Sequence, residues 1–329
     1  MFPSSGKPAP AFFDAPMQTL APDALATRRA QAVARLLRQF RGAGDSFYRD
    51  RWAAEAPSAR DRAPGESLHA VGITTGDDLA AEVAAHPPFG RLHNGAGQPI
   101  RTGLALAAVP RPMPIYWTRA DLDAEAAWGA RALWRAGVRP RRRTSDCLEG
   151  GLVTPGTLAI SDALDHLDAL ALPVGPITTD AALQRALEVW DIVQPECLIV
   201  DAPTFAFLDP HARRPRCPLV VMLGPADADL LRRPPRPDLF RIFSMPQLCT
   251  FAAGECAAHE GYHIAEDSLA AEVIDRATGR APGDAQPGGL LLTTLTRHAT
   301  VLRFETGLRA TLTRAPGACG ETHARIVFS

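Results

Sequence analysis

Two short stretches near the C-terminus carry the residue types that bind soft metal ions. "ECAAHEGYH" contains Cys256, His259 and His263, and "CGETH" contains Cys319 and His323. Thiolates with imidazoles suit zinc in a closed, four-ligand structural site, provided that the two stretches lie in neighbouring loops. Cys256, His263, Cys319 and His323 form the first-choice set, with His259 or Cys249 as alternates. The gap between Cys256 and His263 is wider than the tight local spacing of a zinc finger. The plain alternative is buried thiols and surface histidines without metal.

Other reactive groups are less well assembled. Asp162, Asp165 and His166 share a helical face in "SDALDHLDAL", which a solvated polar face explains without chemistry. Cys147 has no histidine that the sequence places beside it, so a core or loop thiol is the simpler reading. Lys7 is the single lysine of the chain. Any lysine-dependent step would therefore rest on "SSGKPAP", a phosphate-loop lookalike with no strand before it.

Composition narrows the class. The chain has 329 residues, 46% hydrophobic and 22% charged, with a net charge of −1. A sizeable core is expected, and nothing suggests disorder, a nucleic-acid footprint or an anionic membrane surface. The Arg139 to Arg143 run reads as a solvated loop. No stretch approaches the roughly 18 apolar residues of a membrane span, and the N-terminus lacks the pattern of a secretory signal. Six scattered cysteines form no disulfide framework, so the expected location is cytoplasmic.

The patterning positions these residues. Leu25, Val33, Leu36, Leu37 and Phe40 recur at helical spacing, and "TTGDDLAAEVAAHPP" adds a shorter helix capped by Thr75 or Asp77. From Gly103 short apolar runs alternate with helices: "LALAAV" and "MPIYWT", a helix over "RADLDAEAAWGARALWRAG" with Asp121 well placed to cap it, then "CLIVDAP", "PLVVMLG" and "FRIFSMP". That order predicts an α/β sheet. After about residue 250 apolar and polar residues alternate as in antiparallel strands. The expected organisation is a helical entry region over 1–100, α/β subdomains over 101–250 and a β-rich subdomain over 251–329.

Seven segments in fixed order carry a resemblance. "FYRDRW", "GITTGDDLAA" with "HPPFGRLHN", "WTRADLDAEAAWGARALWRAGVRP", "VDAPTFAFL", "AGECAAHEGYHIAEDSLAAEVID", "GGLLLTTLTRHATVLRFETG" and "PGACGETHARI" are similar to phenylacetate-CoA ligase and its aryl-CoA ligase relatives in the adenylate-forming superfamily. The resemblance implies a large N-terminal domain of two α/β subdomains and a β-barrel-like one. It also implies a reaction: a carboxylate attacks the α-phosphate of ATP, and CoA then takes the acyl group.

Residue by residue, the positions that serve ATP in the family depart from its pattern. The Ser/Thr/Gly-rich phosphate loop with its lysine, of the form SSGTTGKP, is here "GLALAAVPRPMP", running from Gly103 through three prolines and Arg111. Proline has no N–H for an amide cradle, apolar side chains offer no hydrogen bond, and Arg111 alone does not rebuild one. "FSMPQ" stands at the aromatic-Gly-x-Ser/Thr-Glu segment, with Phe243 as the aromatic and Gln247 at the metal-linked glutamate. Glutamine lacks the charge that holds Mg²⁺ among phosphates. Leu308 stands at the ribose-binding aspartate and cannot accept hydroxyl hydrogen bonds.

Family members continue past "GRTHRR" into a mobile C-terminal domain with the adenylating lysine, whereas this sequence ends at Ser329. Some members also have a Cys-x-Cys in the second metal segment, where Gly317 here replaces the first cysteine. By position in the family, Leu152, Thr154, Phe205 and Gly224 would line a residual acyl pocket.

Neither ATP nor Mg²⁺ is expected as a cofactor; zinc, if the Cys/His set holds it, would be structural. The leading reading is a catalytically degenerate phenylacetate-CoA ligase-like protein, a non-adenylating binding or accessory subunit. Its partner would be another protein or a second copy, its small ligand aromatic or acyl, with no nucleic acid and no membrane. One alternative is an acid-CoA ligase completed by another subunit. The other is an ATP-independent acyl transferase or hydrolase using the old acyl pocket.

Overall fold

The computed structural model describes residues 11–42, 45–55, 68, 71–93, 97–150, 156–211, 213–282, 286–315 and 317–329. Its strands are β1 (Arg101–Ala105), β2 (Met113–Trp117), β3 (Arg143–Cys147), β4 (Leu170–Pro173), β5 (Cys197–Asp201), β6 (Leu219–Leu223), β7 (Leu239–Met245), β8 (Cys249–Gly254), β9 (Tyr262–Ile264), β10 (Leu269–Ile274), β11 (Gly288–Thr294), β12 (Phe304–Thr313) and β13 (Arg325–Phe328). β1 and β2 form a separate antiparallel hairpin, and the others make one sheet in the order β10-β11-β12-β13-β9-β8-β7-β6-β5-β3-β4.

Two halves of that sheet follow different rules. β4, β3, β5, β6 and β7 are parallel, joined by helices Thr157–His166, Asp180–Val193, Ala202–Leu208 and Ala228–Arg232. Strands covered by helices on both faces must be apolar throughout, and β6, "LVVML", is buried at every position. From β7 onward every pairing is antiparallel. In β12 burial alternates over much of the strand, the mark of a sheet with one face outward. The fold is the mixed α/β architecture expected of an adenylate-forming enzyme's large N-terminal domain.

Helix starts are set by side-chain caps. Thr75, with Asp78, builds a reciprocal capping box ahead of Gly76–Ala85. Helix Arg119–Arg135 has the same device, but the cap is Thr118 and not Asp121 as the sequence suggested. Asp121 sits inside the first turn, where its carboxylate accepts from the Thr118 amide at 2.8 Å and completes the box. A threonine three residues before an aspartate satisfies two orphan amides at once, which an aspartate alone cannot do. The arginine run is only partly the solvated loop expected: Arg141 and Arg142 are exposed, Arg143 already opens β3 and pairs with Arg142 on Glu196, and Arg139 is half-buried with its guanidinium 4.0 Å from the Trp134 ring.

The hairpin is held to the sheet by Arg297, one of the largest fully buried side chains. Its guanidinium donates to the Pro246 carbonyl at 2.6 Å and to the Tyr116 carbonyl at 3.0 Å, and lies 3.6 Å from the Glu125 carboxylate. Strand β2, the turn after β7 and helix Arg119–Arg135 therefore converge on one buried charge. Glu125 is itself buried, and that burial pushes its pKa up although Arg297 opposes the shift. Arg297→Ala should lower stability by about 3–5 kcal/mol by leaving Glu125 buried without its cation. Combining it with Glu125→Gln should recover part of the loss, as read by denaturant unfolding.

At the end of β3, burial pushes the Asp146 carboxyl up from 3.8 to about 6. The folded state then binds more protons than the unfolded one between about pH 4 and 6, so stability falls as pH rises through that window. Asp146→Asn should raise stability by up to about 3 kcal/mol at pH 7, with the gap closing below about pH 4. Unfolding curves at the two pH values check both parts.

Candidate functional site

In the parallel half of the sheet, ligands are expected beyond the carboxyl ends of the strands. There the chain places Gly224 after β6, Gln247 after β7 and, facing them, the tip of the β1–β2 hairpin. The tip is pressed into this region. The Gln247 amide donates to the Ala107 carbonyl at 2.8 Å. A Cβ added to Gly224 would lie 3.8 Å from the Ala107 Cβ. One added to Gly76 would come within 2.1 Å of the Ala108 carbonyl oxygen, so only glycine lets the helix start meet the tip so closely. Ala108 holds φ at 52°, a left-handed conformation uncommon outside glycine, which this seating supports.

The remaining sequence-picked positions are engaged in packing. Gly103 lies in β1 opposite Ile115 and is buried. Arg111 does not face the turn; its guanidinium donates to the Ala80 carbonyl at 3.1 Å. Phe243 is fully buried with its ring edge-on to Phe328 at 5.2 Å, and Leu308 belongs to the core. Gln247 is buried, and its carbonyl oxygen has no hydrogen-bond partner. β12, which carries Leu308, passes close to the tight turn Pro225–Asp227 that follows Gly224.

Of the four acyl-pocket positions, Leu152 and Thr154 lie outside the described residues. Phe205 is buried on helix Ala202–Leu208 and lines a cavity of about 10 Å³ with Val221, Leu223, Leu230 and Leu239. That is room for about one water and not for an aryl ring. Gly224 is not part of its wall.

The cysteine and histidine segments converge in the antiparallel half. Cys256, His263 and Cys319 place their ligand atoms within 4.8 Å of one another. His263 comes from β9, Cys256 from the loop before it and Cys319 from the loop before β13, which pairs with β9. The Cys319 sulfur is 3.3 Å from His263 Nε2. The neighbouring Cys256 thiol and His263 pull the Cys319 thiol well below its ordinary range, while Cys319 and burial push Cys256 up. Such a thiolate beside a thiol and an imidazole is the donor set that zinc takes. The buried His263 Nδ1, without a hydrogen-bond partner, lies 4.0 Å from Glu321. That carboxylate is too far for a hydrogen bond to the ring, and both its oxygens accept from Arg135.

His323 is not in the cluster. Its Nδ1 lies 3.0 Å from the Ile264 carbonyl and 3.1 Å from the Glu266 amide, and its Nε2 lies 3.1 Å from the Met17 carbonyl. Of the alternates, His259 stacks on Phe240 at 5.1 Å, and Cys249 is buried in β8 near Glu125, with its pKa raised by burial. Asp162 of the polar helix face pairs with Arg101. The sequence reading missed Glu321. Burial would raise its pKa, but Arg135 outweighs this and holds it down to about 2. Arg135 lies 186 positions away, so no local spacing signals the pair.

No family model matches the chain. A phenylacetate-coenzyme A ligase of Thermus thermophilus is 27% identical over 279 residues, 79% of this chain and 60% of the relative. One of Pseudomonas putida is 25% identical over 310 residues, 88% of this chain and 67% of the relative. The chain thus spans roughly two thirds or less of these curated relatives. A 2-hydroxyisobutyryl-CoA ligase solved with 2-HIB-AMP and CoA superposes on 99% of this chain and 72% of its own, with a TM-score of 0.80 at 19% identity. An open conformation of that ligase gives 0.79 at 20% identity, covering 99% of this chain and 79% of its own. In sequence this chain is similar to phenylacetate-CoA ligases, and its fold is that of the CoA-ligase structures on which it superposes.

Proposed function

We propose that this protein is a non-adenylating relative of the acid-CoA ligases that binds a partner protein or a small aromatic or acyl ligand. The observation that carries the reading is the bond from Gln247 to the Ala107 carbonyl: the glutamate position of the family's metal-linked segment is spent holding down the turn that would cradle phosphates. The turn offers no Ser, Thr or Lys, two of its residues, Pro110 and Pro112, are prolines, and its arginine is turned onto Ala80. A phosphate arriving there would meet an apolar tip instead of amide donors. Among the described residues no helix is long and apolar enough to cross a membrane; the cytoplasmic setting we propose rests on the six free, scattered cysteines.

The competing reading, an acid-CoA ligase completed by another subunit, draws on the length of the relatives beyond the matched part and on the intact fold. Direct binding separates the two. Millimolar ATP with Mg²⁺ should leave the melting temperature unchanged, whereas ligand at about 100 times its Kd would add about 2.7 kcal/mol. A clear upward shift, or arylacetate-dependent pyrophosphate exchange, would sink the non-adenylating reading. Gln247→Glu is the complementary test. It restores the family's residue but sets a carboxylate against the Ala107 carbonyl, and should cost about 1–3 kcal/mol without conferring nucleotide binding.

Zinc is proposed as a structural cofactor on Cys256, His263 and Cys319, where it would crosslink β9, the loop before it and the loop before β13. Purified protein should carry about one zinc per chain, and a strong chelator should lower the melting temperature by several degrees. Metal-free protein with an unchanged melting curve would rule this role out.

A further inference from the structure

Zinc held by protein donors is almost always four-coordinate, and whether a site is closed or open follows from how many donors the protein itself supplies. Here the neighbouring candidates are bound elsewhere or lie outside the cluster. Both Glu321 oxygens are bound by Arg135, and Gln18 adds a bond at 3.3 Å. Glu260 is held by Arg325 at 2.7 Å and by the Ala318 amide at 3.1 Å. Both nitrogens of His323 face backbone atoms, and His259, stacked on Phe240 with its Nδ1 3.7 Å from Glu255, stands outside the cluster. Among the described residues no fourth Cys, His, Asp or Glu joins the three.

We propose that Cys256, His263 and Cys319 make a coordinatively open zinc site whose fourth position accepts an exogenous thiol. This rests on the zinc reading above. Two thiolates and an imidazole are donors that suit zinc, and a thiol is a further ligand of the same soft type. Cys256 and His263 are buried, while Cys319 is only half-buried, so a ligand approaches from the Cys319 side. On binding, the thiol sulfur takes the place of solvent at the metal and the S–H proton leaves to water. No oxidant or reductant is needed.

The test uses the full chain loaded with zinc for X-ray absorption and with cobalt(II) for optical spectroscopy, with 2-mercaptoethanol as the monothiol. The zinc form should show two sulfur neighbours in thiol-free buffer and three in millimolar 2-mercaptoethanol. The cobalt form should gain sulfur-to-metal charge-transfer intensity, saturating at one thiol per metal. Four protein donors from the outset, with neither spectrum changed by thiol, would overturn the open site and leave the zinc reading standing. Failure to take up one equivalent of either metal would overturn both.

Discussion

A charge buried as deeply as Arg297 has to be surrounded by acceptors, and the site-bearing half of the molecule is arranged around that need. Its partners come from β2, from helix Arg119–Arg135 that follows it directly, and from the turn after β7, which lies far along the chain from both. Satisfying the guanidinium fixes the base of the hairpin relative to the Pro246–Gln247 turn. Once the base is fixed, a stiff, proline-rich turn has few places to go, and its tip falls onto Gln247, Gly224 and Gly76. The seat of the hairpin thus follows from an electrostatic constraint several residues away from it.

Much of the architecture is legible in sequence because it rests on local rules. β5, β6 and β7 lie where continuous apolar runs are bounded by turn signals, and the change to antiparallel pairing falls where alternation begins. All six cysteines are free, in line with their scattered spacing. Helix capping was readable only in part: the sequence offers Asp121, and the chain uses Thr118 with Asp121 inside the turn.

What spacing could not give was contact between distant residues. The Gln247–Ala107 bond spans 140 positions, and Arg135 reaches Glu321 across 186. The three clustered metal donors were all named from residue type, because thiols and imidazoles are scarce enough to stand out. The fourth, His323, was not separable by type, since only the path of the backbone turns its ring toward Ile264 and Met17. Arg111 is a similar case: its charge is visible in sequence, but its direction, toward Ala80, depends on how the hairpin lies over helix Gly76–Ala85.

The central claim is that the hairpin tip fills the place where a nucleotide's phosphates would rest. A crystal structure grown in millimolar ATP and Mg²⁺ tests it most directly. The account predicts the Gln247 amide still on the Ala107 carbonyl, with no phosphate between Gly76, Ala107 and Gly224. A triphosphate or adenylate seated there, with the tip lifted away, would contradict it.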